Sequence, residues 1–325
     1  MKFVFKLQTM YFRTQIPILK SSISIDYNSK ILSIGSCFAE NMAFKFDYFK
    51  FQNQTNPFGI IFNSVSIENL FRRVCEKKLF EEKDVFFHNE RWHSFDVHSD
   101  LSNSDREELL ETLNKAITET HKKLLEATHI IITYGTSWIY RNIETDQIVA
   151  NCHKVPQKQF SKELLSVEEI QMSIQNTIEL IQVLNPDINF IFTVSPVRHM
   201  KDGFVENQLS KSHLFTALHK TINHKLYTVD YFPSYEIMMD ELRDYRFYSE
   251  DMLHPNKIAI DYIWHKFSEN YISEDGLLIM QEIEDIQKSL HHRSFNPASE
   301  QHQKFLAKLQ QKIKLLEKKQ PSIKF

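Results

Sequence analysis

Four short apolar runs, KILSI (30–34), HIIIT (129–133), NFIFTVS (189–195) and LYTVD (226–230), constrain this chain more than any other feature. Each is too short for a helix and rich in Ile, Val, Phe or Thr, so each reads as a buried strand. Between them the apolar period changes to that of a helix. Residues 104–127 place Leu109, Leu110, Leu113, Ile117 and Leu124 on one face, residues 166–184 place Ile170, Ile174, Ile178 and Ile181, and residues 207–224 form a third such stretch. Strand and helix in alternation predict an α/β fold, a mostly parallel central sheet covered by helices on both faces. With 5 glycines among 325 residues, and neither GxGxxG nor GxxxxGK[ST], the dinucleotide and P-loop versions of that architecture are disfavoured.

The end of the chain has a different pattern. From Ser273, apolar residues Leu277, Met280, Ile283, Ile286 and Leu290, then Phe305, Leu309, Ile313 and Leu316, recur at helical spacing on either side of HHRSFNPAS (291–299). The expected division is a main domain over 1–272 and a C-terminal helical appendage over 273–325. Residues 301–325 hold seven lysines and one glutamate, read as the solvated face of an amphipathic helix. The rival reading makes this tail the functional part, recruiting a partner protein or a membrane surface.

A formal charge of −3 and a pI near 6.6 argue against nucleic acid as a partner. Cys37, Cys75 and Cys152 form neither a disulfide framework nor a zinc pair and read as reduced thiols. Lys2, Lys6 and Arg13 interrupt the N-terminal apolar residues before a secretory core can form, and no run reaches the ~18 apolar residues of a membrane span. A cytoplasmic protein is the expectation.

In open parallel sheets ligands bind beyond the carboxyl ends of the strands. There this sequence has Gly35-Ser36, then Tyr134-Gly135-Thr136-Ser137, then Ser195-Pro196-Val197-Arg198-His199. Further on, FYSEDMLHPNKIAIDYIWHKF sets Asp251 and His254 three residues apart ahead of a helix in which Pro255 is expected in the first turn, with an apolar stripe of Ile258, Tyr262, Ile263 and Phe267. That spacing lets the carboxylate bond one imidazole nitrogen and leave the other free. A serine hydroxyl needs such an oriented base, and Ser36, at a sharp turn before a helix N-terminus, is its natural recipient.

These residues carry a resemblance. Gly35-Ser36-Cys37-Phe38-Ala39 resembles the signature of the GSCFA family, grouped with the SGNH/GDSL hydrolases, and NPFGIIFN, TYGTSWIY, NCHKVP, FTVSPVRH and RDYRFYSEDMLHP resemble its other blocks, over about residues 17 to 270. The resemblance implies a flavodoxin-like sandwich and a Ser36-His254-Asp251 triad. It also implies ester hydrolysis or acyl transfer on a small-molecule or carbohydrate ester, with no metal or organic cofactor. The oxyanion would be held by the Ser36 and Gly59 amides, with Ser137 assisting.

The pattern departs from the wider superfamily at its third block, usually GxND, where this chain has Gly135-Thr136-Ser137-Trp138. A hydroxyl there donates one hydrogen bond and reaches less far than an asparagine, so Asn56 and Asn151 are the reserve donors. Cys37 is the alternative nucleophile and His199 the alternative base. Arg198 grips either an anionic substrate or a structural carboxylate such as Asp244 or Glu236. His93, Asp96 and His98 invite a metal reading, but in extended chain His93 and Asp96 face opposite sides, and no metal is expected. The rival to catalysis is a binding module of the same fold that holds an anionic or carbohydrate ligand.

Overall fold

Strand residues alternate between two faces, and that alternation builds the molecule. In the computed structural model, which describes residues 14–223, 228–292 and 295–325, five parallel strands form the central sheet: β1 (Lys30–Gly35), β2 (Gln52–Thr55), β3 (His129–Tyr134), β4 (Asn189–Val194) and β5 (Val229–Phe232). Their order across the sheet is β5-β4-β3-β1-β2. Ile31, Ile131 and Ile191 point to one core, and Leu32, Ile34, Ile130, Ile132, Phe190 and Phe192 to the other. Lys2, Lys6 and Arg13, Leu226 and Tyr227 of the fourth expected strand, and Arg293 and Ser294 of the expected helix break lie outside the described residues.

The second core is covered by α2 (Ser64–Cys75), α3 (Arg106–Glu126), α4 (Val167–Leu184) and α5 (Phe204–Ile222). Their starts follow capping chemistry: Asp105 accepts the Glu108 N–H at 2.9 Å, and Ser166 forms a capping box with Glu169. The other face is covered by α1 (Cys37–Tyr48), α6 (Lys257–Tyr271), α7 (Glu274–Leu290) and α8 (Glu300–Lys319). This is a three-layer α/β sandwich. Among the described residues no helix is long and apolar enough to cross a membrane.

Several details differ from expectation. QNQT, with no apolar alternation, forms the edge strand β2 because β1 supplies its hydrogen-bond partners, Ser33 pairing with Thr55. Residues 138–164 add an antiparallel sheet of Trp138–Asn142, Ile148–Val149 and Phe160–Leu164. Pro255 precedes α6 rather than entering its first turn. Asn256 is the cap, its Oδ1 accepting the Ala259 N–H at 3.1 Å, and Ile258 points outward while Ile260, Ile263, Trp264 and Phe267 are buried.

The last two helices are joined to the rest by a common core. Ile283, Ile286, Leu309, Ile313 and Leu316 belong to the same buried cluster as Phe46, Trp264 and Phe267. Polar ties reinforce it: Gln287 Nε2 donates to the Tyr48 carbonyl at 3.0 Å and Ser322 Oγ to the Tyr27 carbonyl at 3.2 Å. Because the core is continuous, Ile283→Ala is expected to cost about 2–5 kcal/mol. Calorimetry is expected to register it as a shift of a single transition for the whole chain, and a separate low-temperature transition for residues 273–325 would contradict that expectation.

Candidate functional site

The sheet order reverses between β1 and β3, and the crevice beyond their carboxyl ends is where the singled-out residues gather. Gly35 closes β1 at φ 149° beside Thr133; a Cβ there would lie 2.3 Å from the Thr133 carbonyl oxygen, so no other residue fits this turn. Ser36 follows at once, 2% exposed, and caps α1, its Oγ accepting the Phe38 N–H at 3.3 Å. The next strand end contributes Asn56, whose Oδ1 accepts the Gly35 N–H at 2.9 Å and whose Nδ2 lies 3.4 Å from Glu40 Oε1. Asn56 therefore holds the Ile34–Gly35 peptide, one residue ahead of Ser36.

Asp251 and His254 sit in a tight loop before α6. Asp251 Oδ1 accepts the backbone N–H groups of Leu253 (2.9 Å) and His254 (3.0 Å), and Oδ2 is 2.5 Å from His254 Nδ1. Those backbone donors chiefly hold the Asp251 carboxyl down to about 2. An ionised carboxylate only accepts, so Nδ1 carries the proton and Nε2 is left with its lone pair. Ser36 Oγ and His254 Nε2 are not hydrogen-bonded to each other.

Arg198 meets neither Asp244 nor Glu236. Its Nη2 donates to the Met252 carbonyl at 2.5 Å and its guanidinium lies 4.8 Å from the Tyr248 ring centre, so it braces the loop that carries the dyad. The position of Met252, at φ 60°, is part of what that brace fixes. His199 packs its ring 5.1 Å from Phe62, with Nε2 buried and unpartnered among the described residues. Burial foremost, then the charges of Lys211 and His254, pushes it down to about 3. A neutral imidazole with no carboxylate to orient it is a poorer base than His254. Burial likewise pushes the Cys37 thiol up, away from the thiolate a nucleophile needs.

The expected oxyanion donors are spent on other acceptors. The Ser36 N–H donates to the Thr133 carbonyl (3.1 Å), the Gly59 N–H to Asn56 O (2.8 Å) and the Gly135 N–H to Phe62 O (2.8 Å). Ser137 is fully buried and turned toward α5: its hydroxyl donates to the Ser210 carbonyl and its N–H to Ser210 Oγ, each at 2.7 Å. Asn151 serves a local turn, accepting the His153 N–H at 2.8 Å. His93, Asp96 and His98 have separate partners: Ser102 Oγ at 2.6 Å, Arg73 at 3.2 Å and Asp100 at 3.1 Å.

Sequence reasoning passed over Lys211. This lysine of α5 is 1% exposed and donates to the Gly135 and Ser195 carbonyls at 2.6 and 2.8 Å. A signal was available, since Lys211 falls on the inward stripe of Asn207, Leu214 and Leu218, where a cation needs a reason.

With this geometry in view, two sequence-family models match the chain: GSCFA family over residues 30–267, and GSCFA domain protein, C-terminal domain, over residues 283–325. The chain belongs to the GSCFA family. No curated protein matches it. Among solved structures, a carbohydrate esterase family 3 from Talaromyces cellulolyticus has a TM-score of 0.35 and 9% identity, covering 79% of this chain and 99% of that one. That likeness is too slight to carry a function for this GSCFA protein.

Two outcomes are expected from the polar contacts. Ser137→Ala removes a buried hydroxyl bonded to the Ser210 carbonyl, which keeps its helix bond within α5, so it lowers stability by about 1 kcal/mol in thermal melts and leaves any turnover constant unchanged. Asp251 ionises lower when folded than the ~3.9 of an unfolded chain, so its contribution is complete above about pH 4 and lost as pH falls through about 2. Melting temperature over pH 5 to 2 should therefore drop more steeply for the parent than for Asp251→Asn; parallel curves would mean the loop contacts contribute nothing.

Proposed function

We propose that this chain is a serine hydrolase or acyltransferase acting on carboxylic esters of small molecules or carbohydrates. The observation that carries the reading is the Asp251–His254 dyad, with Nδ1 tied to an ionised carboxylate and Nε2 open, in a domain that puts a serine at the switch point of a parallel sheet. Ser36 Oγ attacks the ester carbonyl carbon as its proton passes to His254 Nε2, and Asp251 stabilises the imidazolium. The tetrahedral intermediate collapses, the bond to the leaving alcohol breaks, and His254 returns the proton to that alcohol. Water or a second hydroxyl then repeats the cycle on the acyl-serine. Ser36 Oγ only accepts, from the Phe38 N–H, so attack requires its free O–H to align on His254 Nε2, a tightening that apo sites commonly leave to the substrate complex.

With Ser137 facing α5, the side-chain donor to the oxyanion falls to Asn56 Nδ2, supported by the partial positive charge at the start of α1. The second reading, a binding module of the same fold, draws on one specific observation: the Ser36, Gly59 and Gly135 amides are all engaged within the protein.

A fluorophosphonate probe with peptide mapping separates the two. The hydrolase reading expects labelling at Ser36, abolished in Ser36→Ala and kept in Cys37→Ala, with His254→Asn slower by on the order of 10³-fold or more. Asn56→Ala is expected to slow ester turnover by ~10²-fold at nearly unchanged KM. An unlabelled, well-folded parent would leave the binding module.

A further inference from the structure

The ammonium of Lys211 is buried without a carboxylate. Its Nζ bonds two backbone carbonyls, Gly135 O just after β3 and Ser195 O just after β4, and lies 5.4 Å from the Tyr235 ring centre. Among the described residues it makes no ion pair. Burying an unpaired ammonium is costly, and two neutral carbonyls offset only part of that cost. Evolution toward stability alone would place an apolar residue on this inward stripe. The two carbonyls it holds belong to loops that frame the crevice. The loop after β4 continues to Arg198, which in turn holds the Met252 carbonyl in the dyad loop.

We infer that Lys211 is a positioning residue of this site, tying together the loops after β3 and β4, and that its ammonium sets a positive charge behind the Ser36–Cys37 corner that favours negative charge on a bound ester as it reacts. The effect on catalysis rests on the hydrolase reading; the charge itself does not.

Among the described residues, the titratable groups facing Lys211 are Cys37 at the start of α1, His199 in the loop after β4 and Tyr235 after β5. Burial lowers the lysine to about 7, holds His199 down at about 3, and raises the Cys37 thiol and the Tyr235 hydroxyl. A loss of function as pH rises just above neutrality therefore belongs to Lys211 within this group.

The test measures the rate of fluorophosphonate labelling at Ser36 between pH 6 and 9 in the parent, in Lys211→Met and in Lys211→Gln, the last keeping a hydrogen-bond donor without charge. The parent should slow as pH rises through about 7 to 8. Both variants should label at least tenfold more slowly at pH 6.5 and lack that alkaline limb. A parent whose rate is flat to pH 9, or a folded variant that reproduces the parental profile, overturns the inference; the parental profile decides even if Lys211→Met does not fold.

A second readout does not need activity. The unfolded lysine holds its proton up to ~10.5 while the folded one releases it near 7, so the unfolded chain binds more protons in between. Stability of the parent should then rise with pH over that window relative to Lys211→Gln. Absence of labelling in the parent with this drift intact would remove the hydrolase reading and keep the buried, titrating lysine. Absence of the drift would mean that the folded lysine keeps its proton throughout the window, and would overturn the alkaline limb assigned to it.

Discussion

The approach of β1 to β3 at Gly35 and Thr133 is the constraint on which the site depends. Parallel pairing runs unbroken from Ile31 against His129 to Gly35 against Thr133, and there the first strand must leave the sheet in a single residue. Only a residue without a Cβ can occupy that contact, and the chain leaves it directly into the first turn of α1. Ser36 is thus fixed by backbone geometry rather than by its own hydrogen bonds, one of which is long. Asn56, at the end of the neighbouring strand, holds the Gly35 N–H from the other side.

Around that fixed point the polar groups fall into two sets. One builds the frame: Ser137 on Ser210, Gly135 on Phe62, Gly59 on Asn56, each filling a donor that would otherwise be buried without a partner. The other carries the groups that can act on a ligand: His254 Nε2, which is open, the second N–H of Asn56 Nδ2, whose first lies against Glu40, and Lys211, which is held on two carbonyls and acts through its charge. Arg198 connects the sets, since it uses a charge-assisted bond and a tyrosine face to hold the Asp251–His254 loop against the end of β4.

The C-terminal helices share in this support. They cover α1 and α6, the two helices whose N-terminal ends follow Ser36 and His254, and their apolar faces are part of one core with those helices. Loss of that cover would loosen both chain segments that carry the dyad and the serine.

Much of this was legible in the sequence because it depends on local pattern. The runs at 30–34, 129–133 and 189–195 became strands, and the periods ending at Ile181 and at Leu316 became helices, since buried alternation and 3.6-residue spacing are written in neighbouring residues. The Asp251–His254 contact was legible too, being three residues long. What only the tertiary structure decided is every pairing across elements. QNQT became a strand because β1 lay beside it, Ser137 turned to α5 because Ser210 lay there, and Arg198 found a carbonyl instead of a carboxylate. Lys211 became the charge behind the corner because folding brought the ends of β3 and β4 to one helix face, and a hydrogen bond between residues 76 positions apart leaves no trace in local spacing.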